Sequence, residues 1–470
     1  MSAKASSPKP SKPIKFTAST VSPARREAFA ILLAMEAGQG HADDLLRARI
    51  SALSVQDRNL CTTLVLGVLR WQIRLDGFIK QFLTKPNARI DPEVRIALRL
   101  GALQLLFLDR IPAHAAIGES VALAKSAGHT FAAGMVNAVL RKIPKMPKPA
   151  QTAPPNLTPE QLAETTAHPA WMVERWIANY GLHAASDICL HGQSQPELSI
   201  RLEVDGVEAE LSAQGIQLAP GAVLTAARRV VSGDVTATAA FDSGRVRIQE
   251  EGSQLIAELA GHGERILDCC AAPGGKTLIL AERNRHARIH ALEISPERFR
   301  SFQERTAASP FATQIEVQLA DATQLPAKPI YDLVLADVPC SGTGTLGRNP
   351  EIRHRLLPVD LARHHERQCA ILRSALRSGS GRVIYSTCSL EPEENGDVVA
   401  EVLSESPGWR QVPVSDWLHA LAQEGRITPE SRETFSATQA ADGSLTILPG
   451  SLGANVQTDG FFIAALQKTT

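Results

Sequence analysis

Two cysteines in this chain directly follow apolar segments, in loops rich in small and polar residues. Cys340 stands in ADVPCSGTG, residues 336–344, after the apolar run YDLVLA, and Cys388 stands in STCSL, residues 386–390. A cysteine thiolate is a strong nucleophile, and ligands of open α/β sheets bind where the strands end. The two loops therefore predict covalent catalysis and leave open which thiol attacks.

An earlier glycine-containing segment predicts a cofactor site. In LDCCAAPGGKT, residues 267–277, Gly274 and Gly275 let the backbone approach a ligand, and the following helix presents its amide end. The segment does not satisfy the P-loop pattern, because Cys270 occupies the first glycine position, and the dinucleotide pattern GxGxxG is also absent. ATP, GTP and dinucleotides are therefore disfavoured.

Acidic residues follow the next three apolar runs, namely Glu293, Asp321 and Asp337. Each acid alone is equally compatible with a helix cap or a solvated loop. Together with the Gly-Gly turn they favour an adenosine-containing ligand without a phosphate chain. S-adenosylmethionine fits this description, with its methionine carboxylate at the glycine-rich turn.

The segments that carry these residues alternate between strand and helix patterns from about residue 252. RILDCC, RIHALEI, TQIEVQLAD, YDLVLADV and GRVIYST are short and apolar, and helical stretches such as SPERFRSFQERTAA separate them. This alternation predicts a mostly parallel, doubly wound sheet over residues 252–470. We interpret residues 409–450 as an insertion and DGFFIAALQK as an edge strand.

The preceding residues predict further domains. We expect a disordered basic tail (1–20), an all-helical domain (21–143), a Pro-rich linker (144–168), and a helical connector with a small α+β subdomain (169–251). HPAWMVERWIANYG predicts a helix that ends at Gly181. The arginines of the helical domain fit either an RNA-facing patch or solvated helix faces, and the pattern favours the latter: Arg58, Arg70, Arg74, Arg95, Arg99 and Arg141.

Composition limits the class of protein. The 470 residues carry a formal net charge of zero, which argues against a uniformly basic nucleic-acid binder but not against a local basic face. Seven cysteines without a CxxC pair indicate neither a disulfide framework nor a zinc ribbon, and no apolar run reaches membrane-spanning length. We expect a monomer in a reducing cytoplasm, with Cys61, Cys189 and Cys369 as inert buried residues.

Three motifs carry a family resemblance. DCCAAPGGKT, ADVPCSGTG and STCSLEPEEN resemble the signature motifs of the RNA cytosine-5 methyltransferases. RLGALQLLFLDRIP and VNAVLRKI resemble the NusB-like RNA-binding domain of the RsmB/Sun/Fmu branch, which modifies small-subunit (16S) ribosomal RNA. HPAWMVERWIANYG and VRIQEEGSQL also match, so the resemblance covers about residues 22–400 and the last strand. It implies a NusB-like domain followed by a Rossmann-like class I methyltransferase domain.

The resemblance also implies roles for individual residues. Cys388 would be the nucleophile, and S-adenosylmethionine would contact the residues of the glycine-rich segment and the strand-end acids: Cys270, Ala271, Ala272, Pro273, Gly274, Gly275, Lys276, Glu293, Asp321 and Asp337. Two departures are Cys269 before the usual motif and Glu293 where aspartate is common. The basic tail and residues 409–450 lie outside the match.

The expected chemistry explains why two thiols are present. Carbon 5 of cytosine is a poor nucleophile until a thiolate adds to carbon 6, and the adduct must later break down. Our hypothesis is that Cys388 attacks, Cys340 assists product release and Asp337 contributes to the base pocket. Arg348, Arg353 and Arg355 would meet RNA phosphates or form a solvated basic loop. A transfer RNA or DNA methyltransferase and a non-catalytic RNA-binding assembly factor are the alternatives.

Overall fold

The structure is a computed structural model that describes residues 21–143, 157–202, 206–328, 330–451 and 458–469. The chain divides into two compact units between Val173 and Glu174. The predicted tail and residues 144–156 of the predicted linker lie outside the described residues. Within the described ranges, no helix combines the length and apolar character needed to cross a membrane.

The described part of the first unit is helical. Its helices are α1 (Pro23–Glu36), α2 (Ala42–Ile50), α3 (Val55–Phe82), α4 (Pro92–Phe107), α5 (Ala113–Ser126), α6 (Ala133–Leu140) and α7 (Pro159–Thr165). Proline in the first turn starts α1, α4 and α7, where its missing N–H costs no hydrogen bond. Apolar faces of α1–α6 share one core.

Two expectations for this unit need correction. The predicted linker includes α7, which begins with a capping box between Thr158 and Gln161. Arg70 and Arg99 are neither RNA-facing nor solvated, because both side chains are buried. Arg99 makes two hydrogen bonds of 2.7 Å to the Asp76 carboxylate.

A long helical segment, α8 (Ala170–Gln193), follows. Gly181 interrupts it with φ 81° and ψ 164°, so the first helical run ends where the sequence predicts. Next comes a small antiparallel sheet in the order β2-β3-β1-β4. Its elements are β1 (Leu198–Leu202), α9 (Val207–Ala213), β2 (Gln217–Pro220), β3 (Ala227–Ser232), α10 (Ala239–Asp242) and β4 (Val246–Ile248).

A large mixed sheet carries the predicted site. Its strands are β5 (Arg265–Asp268), β6 (Arg288–Glu293), β7 (Ile315–Leu319), β8 (Tyr331–Asp337), β9 (Gly379–Thr387), β10 (Trp409–Val412), β11 (Leu445–Ile447) and β12 (Phe461–Lys468). The order is β10-β12-β9-β8-β5-β6-β7, and β11 also pairs with β12. Strands β5 to β9 are parallel to one another, whereas β12 runs antiparallel to β9. The parallel, doubly wound part is as predicted.

Helices accompany this sheet. They are α11 (Glu251–Ala260), α12 (Gly275–Arg283), α13 (Pro296–Ala307), α14 (Ile352–Arg355), α15 (Asp360–Ser378), α16 (Gly396–Ser404), α17 (Ser415–Gln423) and α18 (Pro429–Thr438). Apolar side chains from several of these helices and from the strands share two cores.

The C-terminal part differs from the sequence expectation. Strand β12 is not an edge strand, because it pairs with β9 on one side and with β10 and β11 on the other. Residues 409–450 are not a separate insertion, since they supply β10, β11 and side chains such as Leu418 and Phe435 to the core of the sheet.

Candidate active site

The two predicted thiols lie side by side. Asp337 at the end of β8 pairs with Ser386 near the end of β9, so the loops that follow leave the same edge of the sheet. The Sγ atoms of Cys340 and Cys388 are 3.3 Å apart, and both residues are partly exposed. The structure therefore brings both candidate thiols to one cleft.

The surroundings of Cys340 favour its protonated form. The hydrogen bond with Cys388 raises the pKa of the Cys340 thiol well above its ordinary value, and burial and the negative charges of Cys388 and Glu394 add to this effect. A thiol is a much weaker nucleophile than a thiolate, so the protonation of Cys340 bears on which of the two cysteines attacks.

An ion pair lies beside the thiols. The Lys276 ammonium is 2.8 Å from Asp337 Oδ2, and Ser386 Oγ donates a 2.8 Å hydrogen bond to Asp337 Oδ1. Burial lowers the pKa of Lys276, but the negative charges of Asp337, Cys388 and Asp268 outweigh it and raise the pKa. The ammonium is therefore within electrostatic reach of the Cys388 sulfur.

A buried carboxylate joins the two cysteine loops, a role that the sequence analysis missed. Glu394 accepts hydrogen bonds from the Ser341 N–H at 2.8 Å and from Ser389 Oγ at 2.5 Å, and it also contacts Ser341 Oγ. Gln368 Nε2 donates a further hydrogen bond at 3.0 Å. Ser341 and Ser389 each follow one of the thiols, so Glu394 connects the residues next to both. The acidic run EPEEN after Cys388 was the available signal.

A close backbone approach also holds the loops together. The Gly344 N–H donates to the Cys388 carbonyl at 2.9 Å, and the Gly460 N–H donates to the Gly344 carbonyl at 2.8 Å. A Cβ atom on Gly344 would overlap the Gly460 carbonyl. Glycine at position 344 is therefore required for this contact.

A cavity of about 140 Å³ lies at the ends of β5, β6 and β7. Its lining includes Cys270, Glu293 and Asp321. Glu293 is buried, with one oxygen accepting from the Ser295 N–H at 2.8 Å and the other 3.4 Å from the Arg298 guanidinium. Asp321 lines the cavity and also caps a short turn by accepting from the Thr323 N–H, so the capping interpretation is confirmed and the ligand-binding one stays a prediction. The two carboxylates suit hydroxyl and amino groups, and Arg298 and Arg367 also line the cavity.

The glycine-rich turn borders this cavity. Gly274 has φ +102°, and a Cβ there would lie 2.6 Å from the Phe302 ring. Ala271 and Ala272 pack against the same ring, and Pro273 follows in a cis peptide bond. The small residues therefore allow the chain to turn tightly between β5 and α12.

Asp268, the last residue of β5, is a second site residue that the sequence analysis missed. It is 1% exposed and accepts a 2.7 Å hydrogen bond from Thr277 Oγ1. Burial, with the nearby Asp337 charge, raises the pKa of Asp268 to about 7, although Thr277 and Lys276 act in the opposite direction. The aspartate directly before the two cysteines of LDCC was a recognisable strand-end signal.

The loop arginines correct another expectation. Arg348 pairs with Asp459 at 2.8 Å, and Arg353 is 2% exposed and donates to the Gly192 carbonyl at 2.9 Å. These two arginines therefore hold the loop in place rather than face RNA, whereas Arg355 is exposed.

Family models match three parts of the chain. Residues 258–467 match the 16S rRNA methyltransferase RsmB/F family, residues 22–145 match the NusB family, and residues 168–233 match the RsmF/B-like ferredoxin-like domain. These matches confirm the predicted combination of a NusB-like domain, a small α+β domain and a methyltransferase domain.

Known proteins align with nearly the whole chain. A probable ribosomal RNA small subunit methyltransferase B of Bacillus subtilis (strain 168) is 34% identical over 94% of this chain and 98% of its own length. A ribosomal RNA small subunit methyltransferase B of Pseudomonas putida (strain KT2440) is 30% identical over 89% of this chain and 96% of its own.

Solved structures share the fold. The crystal structure of PH0851 has a TM-score of 0.75 at 23% identity, over 96% of this chain and 99% of its own. NSun6 from Pyrococcus horikoshii, solved with SFG, has a TM-score of 0.53 at 18% identity, over 64% and 98%. Because its domains match these family models and its relatives align over nearly their whole length, the chain belongs to the ribosomal RNA small subunit methyltransferase B family.

Proposed function

We propose that this protein transfers a methyl group from S-adenosylmethionine to carbon 5 of one cytosine in small-subunit (16S) ribosomal RNA, through a covalent adduct of Cys388. The names of its relatives support methyl transfer to small-subunit ribosomal RNA. The observation that carries the cytosine-5 chemistry is the 3.3 Å approach of Cys340 and Cys388 beside the ion pair of Lys276 and Asp337.

The cavity beside the glycine-rich turn suits the cofactor. Glu293 and Asp321 offer carboxylate oxygens to hydroxyl and amino groups, and Cys270, which begins the glycine-rich segment, lines the same cavity. Residues Cys270 to Lys276 with Glu293, Asp321 and Asp337 would hold S-adenosylmethionine. When bound, this cofactor supplies an electrophilic methyl group on a sulfonium.

The protein's part in the reaction begins with Cys388. Its thiolate adds to carbon 6 of a cytosine that has left its base stack, and carbon 5 becomes nucleophilic. After carbon 5 has gained the methyl group, a base removes the carbon 5 proton. The electron pair of that C–H bond restores the ring double bond and expels the Cys388 sulfur as a thiolate.

Cys340 acts in the last step. Because its pKa is raised, it remains a thiol and donates a hydrogen bond to the departing sulfur of Cys388. A Pro-Cys thiol alone would suggest that Cys340 attacks, but the protonated state argues for release. Asp337 orients Lys276 and contributes to the base pocket.

Two cysteine variants test the assignment. With tritiated cofactor and small-subunit RNA, Cys388→Ala should abolish methyl transfer and form no denaturant-resistant protein–RNA band. Cys340→Ala should form that band and release it slowly. Cys369→Ala, which changes a buried cysteine on α15, is the matched control and should behave as the wild type. Activity of Cys388→Ala, or loss of the adduct in Cys340→Ala, would reverse the assignment.

Bisulfite sequencing tests the substrate. Ribosomal RNA from cells that lack this protein should lose protection at one cytosine of the small-subunit RNA. An unchanged ribosomal profile with a lost site in transfer RNA would move the target there.

We further propose that the enzyme works as a monomer in the cytoplasm. Sedimentation of the purified chain at several concentrations checks the monomeric state.

A further inference from the structure

A basic groove lies at the opposite end of the large sheet from the thiols. It has a volume of about 640 Å³ and is lined by Arg265, Arg285, His286 and Arg288, among others. Arg265 starts β5 and Arg288 starts β6, so the groove lies at the amino ends of these strands, whereas Asp268 and Glu293 end them. The groove is therefore separate from the proposed methylation cleft.

Three of the arginines that line this groove differ from the fourth, Arg283. Arg265, Arg285 and Arg288 are exposed, and among the described residues no carboxylate lies within ion-pair distance of their guanidinium groups. In contrast, the neighbouring Arg283 pairs with Glu258 and with Glu424 at 2.8 Å.

The groove therefore carries an excess of positive charge. Glu264 is the acidic residue of its lining, against three exposed guanidinium groups whose charges are not matched by ion pairs in the described chain. Like charges held together repel one another, and an anion in the groove would relieve that repulsion. A guanidinium presents paired N–H donors that match two oxygens of a phosphate or of a carboxylate, so a phosphodiester backbone is a suitable partner.

We propose that this groove binds the phosphodiester backbone of the RNA substrate as a second contact, remote from the methylated cytosine. The inference rests on the proposed function for the identity of the RNA, but not on the roles of the two cysteines. From Arg288 to Glu293 strand β6 extends roughly 17 Å. The RNA must therefore extend at least this far beyond the target nucleotide, and an RNA that ends closer to that nucleotide does not reach both places.

Two triple variants with equal charge changes test the proposal. The groove variant carries Arg265→Gln, Arg285→Gln and Arg288→Gln. The control variant carries Arg300→Gln, Arg377→Gln and Arg410→Gln, three exposed arginines of the same unit outside the groove. Thermal unfolding establishes that both fold. Filter binding at several salt concentrations then measures affinity for a long 16S RNA fragment and for a short stem-loop that contains the target cytosine.

The expected result is specific to the groove and to the long RNA. The groove variant should bind the long fragment at least tenfold more weakly, and the slope of log K against log salt should become shallower by about two, since each lost phosphate contact contributes about 0.7–0.9. KM for the long RNA should rise while kcat stays unchanged, and the short stem-loop should be unaffected. The control variant should match the wild type.

Other outcomes overturn the proposal. If the groove variant binds the long RNA as well as the control variant does, the groove contacts no RNA, and an acidic protein surface becomes the candidate partner. If both variants weaken binding equally, only the overall charge matters. Failure of the proposed function has a different signature, because the wild-type protein would then bind RNA with the predicted salt dependence and modify no cytosine.

Discussion

The buried carboxyl of Asp268 makes the stability of the fold depend on pH in a direction that can be measured. Asp268 ends β5 next to the glycine-rich turn, and burial is the main reason why its pKa is raised to about 7. Asp268→Asn keeps the shape and an oxygen that can accept the Thr277 hydrogen bond, but it removes the ionisation. The variant therefore isolates the free energy of ionising this side chain.

The magnitude follows from the two pKa values. An ordinary aspartate ionises near 3.8, so in the unfolded chain Asp268 is charged above pH 5, while in the fold it stays protonated up to about pH 7. Because the pKa of Asp268 is higher in the folded state than in the unfolded state, its contribution to stability is fully present below the unfolded-state pKa. This contribution is lost as the pH rises through the folded-state pKa. Between pH 5 and 7 the wild type should lose about 1.4 kcal/mol per pH unit relative to Asp268→Asn, about 3 kcal/mol in all.

Urea unfolding followed by circular dichroism at pH 5, 6, 7 and 8 measures this difference. The free energy of unfolding of the variant minus that of the wild type should increase up to pH 7 and stay constant above it. Asp416→Asn, at an exposed aspartate of the same unit, should change the pH dependence by less than about 0.5 kcal/mol. A gap between Asp268→Asn and wild type that is constant from pH 5 to 8 would refute the raised pKa.

Three further predictions concern the contacts around the site. Glu394→Gln should slow single-turnover methyl transfer at least tenfold with little change in KM, because one contact of the carboxylate with the cysteine loops is lost. The control variant Glu393→Gln, on the same loop, should retain the rate. Gly344→Ala should lower the melting temperature sharply, since its Cβ would overlap the Gly460 carbonyl, whereas Gly396→Ala, where a Cβ meets no atom within 4 Å, should not. Glu258 is buried, yet its three arginine partners outweigh burial and lower its pKa to about 2, so it stabilises the fold above about pH 4.5. That contribution, about 3 kcal/mol, should be lost as pH falls towards 2, and urea unfolding of wild type and Glu258→Gln at pH 3 and 6 checks it.

The sequence predicted most of what lies at the carboxyl ends of the parallel strands. The carboxyl ends of parallel strands lie at the same edge of the sheet, so placing Glu293, Cys340 and Cys388 at or just after such ends was enough to bring them to that edge. The position of each strand in the sheet was harder to predict. The run FFIAAL in β12 is buried at every position, which is typical of an interior strand, yet its place near the end of the chain suggested an edge.

Charged residues were predicted less well, because their role depends on partners that are distant in the sequence. Arg353 looks like any basic loop residue, but it bonds to the Gly192 carbonyl 161 positions earlier. Glu394 stands in the acidic run EPEEN, but its partner Ser341 comes 53 positions before it. The helix α7 is different, because the capping box at Thr158 and Gln161 was visible within four residues and was overlooked in a proline-rich context.

The position of β12 has a consequence for how the chain folds. Thr387, next to the Cys388 thiol, pairs with Phe462, which lies 75 positions later in the sequence. Until that distant segment docks, β9 is an apolar strand with one open edge, which invites pairing with other chains. Such long-range pairing also slows folding, because a large loop must close before the contact forms. The loops that carry the two thiols should therefore be among the last parts of the molecule to acquire their final geometry.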